Sequence, residues 1–351
     1  MTDQHRTSLH ELDRFCREAF LAVGADQATA DAATRAMLHG TRFGVDSHGV
    51  RLLPHYIRAL EGGRLNRNPA LKTVGGFGAV EVLDADNAQG ALGAYRGMER
   101  AVALAGQFGL GAVAIRNNSH FGPAGAYALA AAEAGFIGIT FCNSDSFVRL
   151  HDGASRFHGT NPIAVAVPCA GGDPWFLDMA TSSIPYNRVL LYRSLGQELP
   201  DAVASDSAGQ DVTDPHIVDM LAPLGGAFGF KGAALGGVAE IFSAVLTGMK
   251  LSFDILNMDG PDFETPRQMG AFVLALNPEA FLERSAFDAG MRRYVDTLRN
   301  SPAREGAKVM APGDREWDVA RGRAESGVVL DPITAQEFAA LADRLGIATV
   351  A

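Results

Sequence analysis

The 351-residue sequence is poor in cysteine. Its three cysteines, Cys16, Cys142 and Cys169, are an odd number without a CxxC spacing. The pattern therefore predicts neither a disulfide framework nor a zinc cluster, and it favours a reducing compartment. The first residues lack the basic and then apolar order of a signal peptide, and no apolar run approaches the roughly 20 residues that a membrane span needs. We expect a cytoplasmic protein that is neither exported nor embedded in a membrane.

Positive charge is also scarce, with 30 Lys and Arg against 40 Asp and Glu, a formal net charge of −10. No basic stripe offsets this charge, so nucleic acid is not an expected partner. The chain has no GxGxxG after a strand, no GxxxxGK[ST] and no HExxH, which argues against an ordinary Rossmann fingerprint, a P-loop and a zinc-protease site. No metal site is expected. A hydrophobic content of 47% is typical of a globular chain with a substantial core.

Helices are predicted at both ends of the chain. Residues 8–23 form an amphipathic pattern in which Ser8 and Glu11 are spaced as a capping box. A second helix starts at the N-cap Asp26 and ends at Gly40, and a third covers residues 50–60, where Pro54 predicts a kink or a late start. A last helix, residues 334–345, is expected to pack back on these helices.

Between the two ends, strands alternate with helices, which is typical of an α/β layered core. The predicted strands are residues 71–74, 80–83, 111–115, 136–141, 163–167 and 175–177. The predicted helices are residues 91–108, 123–134 and 229–248. The polar, turn-rich segment 195–219 is interpreted as a surface excursion of this domain and not as a linker.

The densest group of chemically active side chains is Asn117-Asn118-Ser119-His120-Phe121-Gly122, at the end of one predicted strand and just before a helix. Ligands collect at such places in α/β folds, because loops and helix N-termini converge there. His120 is therefore a candidate acid/base, since histidine exchanges a proton near neutral pH. A purely structural capping histidine is the alternative.

A second group is Asp46-Ser47-His48-Gly49-Val50-Arg51, followed by His55 and Tyr56. If the segment is helical, His48, Arg51 and His55 share one face. An arginine there suits a carboxylate, because its fork donates two parallel hydrogen bonds. The alternative is an ordinary solvated face.

Three weaker patterns stand at predicted strand or helix ends. Gly159-Thr160-Asn161-Pro162 precedes a strand, Asp178-Met179-Ala180-Thr181-Ser182 follows one, and Lys231 opens a helix. Polar turns at strand ends also occur without a function. A lysine near helix N-terminal amides can hold a phosphate, but a single lysine before a glycine is a weak signal.

Taken in order, five of these motifs resemble the type-2 malate/L-lactate dehydrogenase family, which includes ureidoglycolate and sulfolactate dehydrogenases. The motifs are Asp46-Ser47-His48-Gly49-Val50, Asn118-Ser119-His120-Phe121-Gly122, Gly159-Thr160-Asn161-Pro162, Asp178-Met179-Ala180 and Lys231-Gly232. The resemblance extends from about Leu9 to about Gly327.

The resemblance implies an α/β fold distinct from the classical Rossmann fold, in which a mixed-sheet domain binds the dinucleotide, as in L-sulfolactate dehydrogenase. A helical domain from both chain ends, residues 1–70 with 310–351, would accompany the cofactor-binding domain, residues 71–309. The family also implies a homodimer. With such a fold, the missing GxGxxG is not an objection.

By the same resemblance, His120 is the catalytic acid/base. The implied substrate-binding residues are Ser47, His48, Arg51, Tyr56 and Thr160. The implied contacts with NAD or NADP are Ser144, Asp178, Met179, Ala180, Lys231 and, in a C-terminal Pro-Gly-acid turn, Gly313, Asp314 and Arg315.

The chain departs from the family pattern at three places. Leu52 stands where the family commonly has an arginine, so Arg51 is the hypothesis for the carboxylate contact. Asp314 replaces a usual glutamate and is one methylene shorter. Residues 145–153 replace a segment rich in Pro and Gly, and Arg149, His151 and Asp152 within it either face an unusual polar substrate or form a charged rim.

The predicted reaction is hydride transfer between nicotinamide and C2 of a small 2-hydroxy or 2-oxo carboxylic acid, with His120 moving the proton. Reduction of a cyclic imine carboxylate (piperideine- or pyrroline-2-carboxylate) is the alternative within the class. A non-catalytic protein that binds small acids is a third reading. A metal-dependent hydrolase or lyase is weaker, because the His and Asp residues lack ligand spacing.

Overall fold

The computed structural model describes residues 6–350. Its helices are α1 (Leu9–Ala22), α2 (Gln27–Arg42), α3 (Leu53–Gly62), α4 (Gly90–Phe108), α5 (Gly125–Glu133), α6 (Tyr186–Leu195), α7 (Gly229–Glu240), α8 (Arg284–Arg299), α9 (Asp314–Ser326) and α10 (Pro332–Leu345). Its strands are β1 (Arg6–Thr7), β2 (Lys72–Phe77), β3 (Val80–Asp84), β4 (Leu110–Asn118), β5 (Ile137–Cys142), β6 (Val148–Arg149), β7 (Arg156–His158), β8 (Ile163–Val167), β9 (Trp175–Met179), β10 (Ala204–Ser205), β11 (Met220–Leu221), β12 (Met269–Leu276) and β13 (Val328–Val329).

The N-terminal helices begin where local capping predicts. The Ser8 hydroxyl accepts a hydrogen bond from the Glu11 amide at the start of α1, and the Asp26 carboxylate accepts one from Thr29 at the start of α2. The predicted end of α2 at Gly40 is wrong, because the helix continues to Arg42. A Cβ at Gly40 would lie 2.6 Å from the His48 carbonyl oxygen, so this glycine permits close packing and does not end the helix.

The segment that carries His48 and Arg51 is not one continuous helix. Residues Asp46–His48 and Val50–Leu52 form two separate 3-10 turns, and α3 starts only at Leu53. Pro54 sits in the first turn of α3, where its missing N–H does no harm, so the predicted late start is confirmed. The common helical face expected for His48, Arg51 and His55 does not form.

The main sheet has seven strands in the order β2-β3-β4-β12-β5-β8-β9. It is mixed, because β3 pairs with β4 in parallel while every other neighbouring pair is antiparallel. All six predicted strands of the central region are present, with ends displaced by a few residues. The analysis of the sequence missed β12, the strand between β4 and β5.

Strand β12 brings distant parts of the chain to one edge of the sheet. Its first residue, Met269, pairs with Asn118, the last residue of β4, and Ala271 pairs with Cys142, the last residue of β5. The loops that follow β4 and β5 and the segment that precedes β12 therefore meet there. This edge holds the His120 loop.

Two apolar cores support this arrangement. One packs α4 and α5 against the main sheet, with Val113, Ile115, Ala271 and Val273 among its buried residues. The other joins helices of both chain ends, since residues of α1, α2 and α3 contact Phe338 and Leu341 of α10. The predicted packing of the last helix on the first ones is confirmed. The predicted domain boundaries stay a prediction, and residues 1–5 and 351, which they include, lie outside the described residues.

The polar segment 195–219 leads into a second, smaller sheet of four short strands in the order β10-β11-β6-β7. Strand β11 pairs in parallel with β6, which begins three residues after Asp145, and β10 pairs with the other side of β11. The segment is thus part of a structured layer beside the residues that follow β5.

One helical run, Gly226–Val245, is long and apolar enough by length and composition to cross a membrane, contrary to the sequence expectation. The expectation counted unbroken apolar residues, whereas Lys231 and Glu240 interrupt this run. About 39% of its 18-residue window is buried inside the protein. Length and composition do not by themselves distinguish a membrane helix from an apolar helix packed on other parts of a protein.

Glu240, at the end of α7, is a buried carboxylate that binds residues of three separate segments of the chain. Its two oxygens accept hydrogen bonds from the Asn161 side chain (2.7 Å), the Asn143 side chain (3.2 Å), and the amide and hydroxyl of Ser252 (2.6 Å each). A buried charge is tolerated when its hydrogen-bonding capacity is filled in this way. Glu240 therefore fixes the residues beside Ser144 and Thr160.

We predict that Glu240→Gln lowers the free energy of unfolding by about 3 kcal/mol, because an NH2 group would face donors that need an acceptor. Urea unfolding followed by circular dichroism measures the change. The matched control is Glu279→Gln at an exposed glutamate. Equal stability of the two variants would contradict the assigned role of Glu240.

Candidate active site

His120 lies in the loop between β4 and α5. Its Nδ1 is 2.7 Å from the hydroxyl of Tyr56 in α3. A glycine, Gly90, makes room for the loop at the start of α4, since a Cβ there would lie 2.2 Å from the Ser119 carbonyl oxygen. His120 is thus held by one strong side-chain contact from the helices and by close packing against α4.

The surroundings of His120 favour its neutral form. Burial lowers the pKa of the imidazole well below its usual value, and the charges of His48, Arg267 and His55 lower it further. Burial also raises the pKa of Tyr56, which keeps the phenol protonated. The pair is therefore a neutral imidazole and a neutral phenol, in which either group can donate the shared hydrogen bond.

Ser47 and His48 lie beside this pair. The Ser47 hydroxyl is 2.9 Å from His48 Nδ1, and the rings of His48 and His120 are 5.8 Å apart. Burial lowers the pKa of His48. The structure thus brings Ser47, His48, Tyr56 and His120 together, from two distant stretches of sequence.

Arg51 occupies a different place. It is exposed, and its charge helps to lower the pKa of Asp331, the N-cap of α10. The arginine whose charge acts on His120 is Arg267. The neighbouring Leu52 packs against the apolar core of the helices.

Ser144 and Thr160 form one connected group with the residues after β9. The Thr160 amide donates to the Ser144 hydroxyl (3.1 Å), and the Thr160 carbonyl accepts from the Thr181 amide (2.9 Å). Gly159 permits this approach, because a Cβ there would lie 2.2 Å from the Ser144 hydroxyl oxygen. The loops after β5 and β9 are therefore joined through Thr160.

Asp178 and Met179 are the last residues of β9 and not part of a turn after it, as the sequence suggested, and Ala180 follows directly. The Asp178 carboxylate accepts a hydrogen bond from the amide of Gly125 at the start of α5 (2.9 Å). Burial raises the pKa of Asp178 to about 6. This bond connects the end of β9 to the helix that follows the His120 loop.

Lys231 lies in the first turn of α7 and is exposed, with its ammonium 5.4 Å from the centre of the Phe228 ring. Gly225 and Gly226 precede it with positive φ values of 122° and 54°. The Leu224 amide donates to the Thr181 carbonyl, which places this loop next to the group of Ser144, Thr160 and Thr181.

The predicted C-terminal turn packs against β9. Gly313 has a φ of 96°, and a Cβ there would lie 2.9 Å from that of Phe176, two residues before Asp178. Asp314 pairs with Arg299 (2.6 Å), which lowers the pKa of the carboxyl. Arg315 is exposed and pairs with Glu316 (3.2 Å). The turn is near Asp178, with Asp314 engaged in holding α8 to α9.

One cavity, with a volume of about 600 Å³, lies between α1 and α2 on one side and α4 and α5 on the other, and His120 does not line it. A cavity of about 410 Å³ is lined by Arg149, His151 and Asp152 together with Gly226 and Ala227. The charged residues 149–152 therefore border the loop that precedes Lys231.

Two buried arginines near His120 were not predicted from the sequence. Arg267 precedes β12, and Arg64 follows α3; both side chains are only 1% exposed. Asp145, directly after Ser144, forms an ion pair with Arg267. The only sequence signal was the unusual segment 145–153, whose first residue supplies this carboxylate.

The residues present fit a nicotinamide cofactor. The Asp178 carboxylate and the Ser144 hydroxyl are hydrogen-bonding groups of the kind that a carboxamide needs, and Lys231 with the first amides of α7 suits a phosphate. In residues 6–350 no carboxylate pairs with Lys231. No cluster of three metal-binding side chains occurs in this part of the chain.

Comparison with known proteins gives one consistent result. The family model described as malate/L-lactate dehydrogenase matches residues 7–339. The chain is 33% identical to a (2R)-3-sulfolactate dehydrogenase (NADP(+)) of Chromohalobacter salexigens over 91% of this chain and 93% of the relative. It is 31% identical to a ureidoglycolate dehydrogenase (NAD(+)) of Escherichia coli over 93% of both chains.

Its fold is similar to that of a solved sulfolactate dehydrogenase from Methanocaldococcus jannaschii, with a TM-score of 0.91 at 28% identity over 98% of both chains. The expected mixed α/β architecture and its likeness to sulfolactate dehydrogenase are thus confirmed.

Five histidines, whose pKa the fold lowers mainly by desolvation, predict that stability falls with acidification. Folding lowers the pKa of His39, His48, His55, His120 and His158, to about 3 for His39 and His55. Below the ordinary histidine value of about 6.5, the unfolded chain therefore binds protons that the folded chain does not, and the free energy of unfolding falls. Asp178 acts in the opposite direction, because burial raises its pKa to about 6 and the folded chain takes up its proton more readily than the unfolded chain.

Urea unfolding at pH 7.5, 6.5 and 5.5 measures this dependence. His39→Phe keeps a ring against Phe43 and should reduce the slope by about 1 kcal/mol per pH unit. His10→Gln, at an exposed side chain, is the control and should leave the slope unchanged. A stability that is constant or rises toward pH 5.5 would show that the folded histidines do take up protons.

Proposed function

The chain belongs to the malate/L-lactate dehydrogenase family, dehydrogenases that act on the CH–OH group of hydroxycarboxylates, and we propose that its catalytic acid/base is His120. The proposed reaction is NAD(P)-dependent hydride transfer at C2 of a small 2-hydroxy or 2-oxo carboxylic acid. The observation that carries the proposal is the partly buried contact of 2.7 Å between His120 Nδ1 and the Tyr56 hydroxyl. It holds a neutral imidazole beside the polar side chains of Ser47 and His48.

In this proposal His120 moves the proton and the other residues position its ring. When Nδ1–H donates to the Tyr56 oxygen, Nε2 carries a lone pair and accepts the proton of a substrate hydroxyl. The low pKa of His120 keeps that lone pair free at neutral pH. In the direction of reduction, Nε2 returns the proton to the oxygen at C2. A nicotinamide held by the residues named below would supply the hydride chemistry.

The remaining candidate residues act by binding. Ser47 and His48 line the same side of His120 and offer hydrogen bonds to substrate oxygens. Thr160 is also proposed to bind the substrate. Ser144, Asp178, Met179 and Ala180, with Lys231 and the turn of Gly313, Asp314 and Arg315, would hold the cofactor. The named relatives use NADP(+) in one case and NAD(+) in the other, so we propose one of these two cofactors.

The test is the absorbance of NADH and of NADPH during incubation with a panel of 2-oxo acids and of five- and six-membered cyclic imine carboxylates. We expect oxidation of one cofactor with a 2-oxo acid. Oxidation of the cofactor with a cyclic imine carboxylate but with no 2-oxo acid would show that the substrate is a cyclic imine carboxylate. Cofactor binding without any turnover across the panel would contradict the proposed reaction and favour a binding protein.

His120→Asn should lower kcat by about 1000-fold, because general acid/base catalysis typically contributes a factor of this order. Binding of the reduced cofactor, followed by its fluorescence, should change less than twofold. The control is His216→Asn, since His216 is exposed. A His120→Asn variant with more than a tenth of the normal kcat would remove His120 from the catalytic role.

We also propose that the protein is a homodimer that buries the apolar surface of α7 and the turn after it. The run Gly226–Val245 and its end expose a row of large apolar side chains. They are Phe228, Phe230, Leu235, Val238, Ile241, Val245 and Leu246. Association of two copies removes such a surface from water.

Light scattering after size-exclusion chromatography should therefore give twice the chain mass. The double substitution Ile241→Glu with Val245→Glu should shift the protein to the monomer, because two carboxylates would be buried without partners. Phe281→Glu, at another exposed apolar side chain, should leave the dimer intact. A monomeric unsubstituted protein would contradict the proposal.

A further inference from the structure

Arg64 and Arg267 are two buried guanidinium groups whose hydrogen-bonding capacity is not filled. Arg267 Nε donates to the Leu256 carbonyl (2.8 Å) and its Nη2 binds Asp145, but its buried Nη1 has no acceptor in residues 6–350. Arg64 Nη1 donates to the Met258 carbonyl (3.1 Å), while its buried Nε and Nη2 likewise lack acceptors. Buried charged donors without partners are strongly unfavourable.

Hydrogen bonds through Met258 and Asp145 link Arg64 to Arg267, and we call this group of residues the arginine pair site. The Met258 amide donates to Asp145 (3.3 Å), the carboxylate that binds Arg267, and the Met258 carbonyl accepts from Arg64. One aspartate thus stands between two guanidinium groups. The site has an excess of positive charge and is closed to bulk water.

The fold sets this site beside His120. Met269, the first residue of β12, pairs with Asn118, the last residue of β4. Arg267 lies two residues before Met269, and His120 lies two residues after Asn118. The two side chains therefore follow or precede strand ends that are paired neighbours, and the charge of Arg267 acts on the His120 imidazole. From the helical side, His55 contributes a buried Nδ1 that has no partner in the described chain, next to the Tyr56 that binds His120.

A structural role alone does not account for the unpaired N–H donors of Arg64 and Arg267. The Cζ atom of Arg64 lies 4.8 Å from the centre of the Phe263 ring, a cation–π contact. Nε and Nη2 of Arg64 still lack acceptors among the described residues. The Nε–Nη2 edge of a guanidinium presents two parallel N–H groups, the geometry that binds a carboxylate with two hydrogen bonds.

We propose that the arginine pair site binds the carboxylate of the substrate, with the Nε–Nη2 edge of Arg64 and Nη1 of Arg267 as donors. The inference rests on the proposed function, since it names the group that orients a 2-oxo acid against His120. It assigns this role to a residue that follows α3 and to a residue of the segment before β12. Arg51, which is exposed beside Asp331, then has no part in substrate binding.

The test is binding of oxalate, a small dicarboxylate probe, to the full-length protein with and without NADH or NADPH, measured by isothermal titration calorimetry. Arg64→Lys and Arg267→Lys keep a positive charge but remove the paired N–H geometry. Each should weaken oxalate binding about tenfold or more, as loss of a charged hydrogen bond implies. The matched controls, Arg51→Gln and Arg58→Gln at exposed arginines of the same region, should change it less than twofold.

Steady-state kinetics with the best 2-oxo acid provide a second measurement. The two lysine variants should raise KM at least tenfold with a smaller change in kcat. Circular dichroism and thermal unfolding identify a variant that fails to fold. If Arg267→Lys does not fold because Asp145 loses its partner, Arg64→Lys decides, because Arg64 makes no ion pair among the described residues.

Unchanged oxalate binding in Arg64→Lys, or a loss confined to Arg51→Gln, would overturn the inference. Its failure is distinguishable from that of the proposed function. Oxalate binding that depends on Arg64 and Arg267 in a protein without turnover would support the site and reject the reaction. Turnover with unaltered KM and oxalate binding in the lysine variants would support the reaction and reject the site.

Discussion

The antiparallel pairing of β12 with both β4 and β5 is the constraint on which the site depends. Without that strand, the His120 loop and the residues after β5 would end on strands that are not neighbours. With it, Asn118, Cys142 and Met269 lie at one edge of the sheet. A buried strand also hydrogen-bonds on both sides, which makes this edge rigid, and a rigid edge can hold side chains from several loops in fixed geometry.

Most local structure could be predicted because its causes are local. The caps of α1 and α2 are contacts between residues three apart, and Pro54 restricts its own turn. The end of α2 could not be predicted, because Gly40 serves contact with His48 and not termination. Strand β12 is a short apolar run, which periodicity does not distinguish from a buried helix. Its position in the centre of the sheet depends on tertiary contacts with β4 and β5, which are distant in sequence.

The residues of the candidate site also differ in how far the sequence predicted them. His120, Ser47, His48 and Tyr56 stand in recognisable motifs, and the structure brings them together. Arg64 and Arg267 carry no motif, since each is a single arginine in an irregular segment. Their importance comes from burial and from missing partners, and both are properties of the folded chain. For Arg51 the reverse holds. Its neighbours in the sequence suggested a contact with the substrate carboxylate, which its exposed position does not favour.

The arginine pair site also links substrate binding to proton transfer. The positive charge of Arg267 is one of the causes that keep His120 neutral, after burial and His48. A carboxylate bound to Arg267 offsets that charge, so the imidazole bears a proton at less cost in the complex than in the free protein. In the proposed mechanism the free protein would thus keep a base ready for a hydroxyl group, and a bound acid would make the protonated form accessible. One anionic contact would serve both orientation and the acid/base cycle in either direction of the reaction.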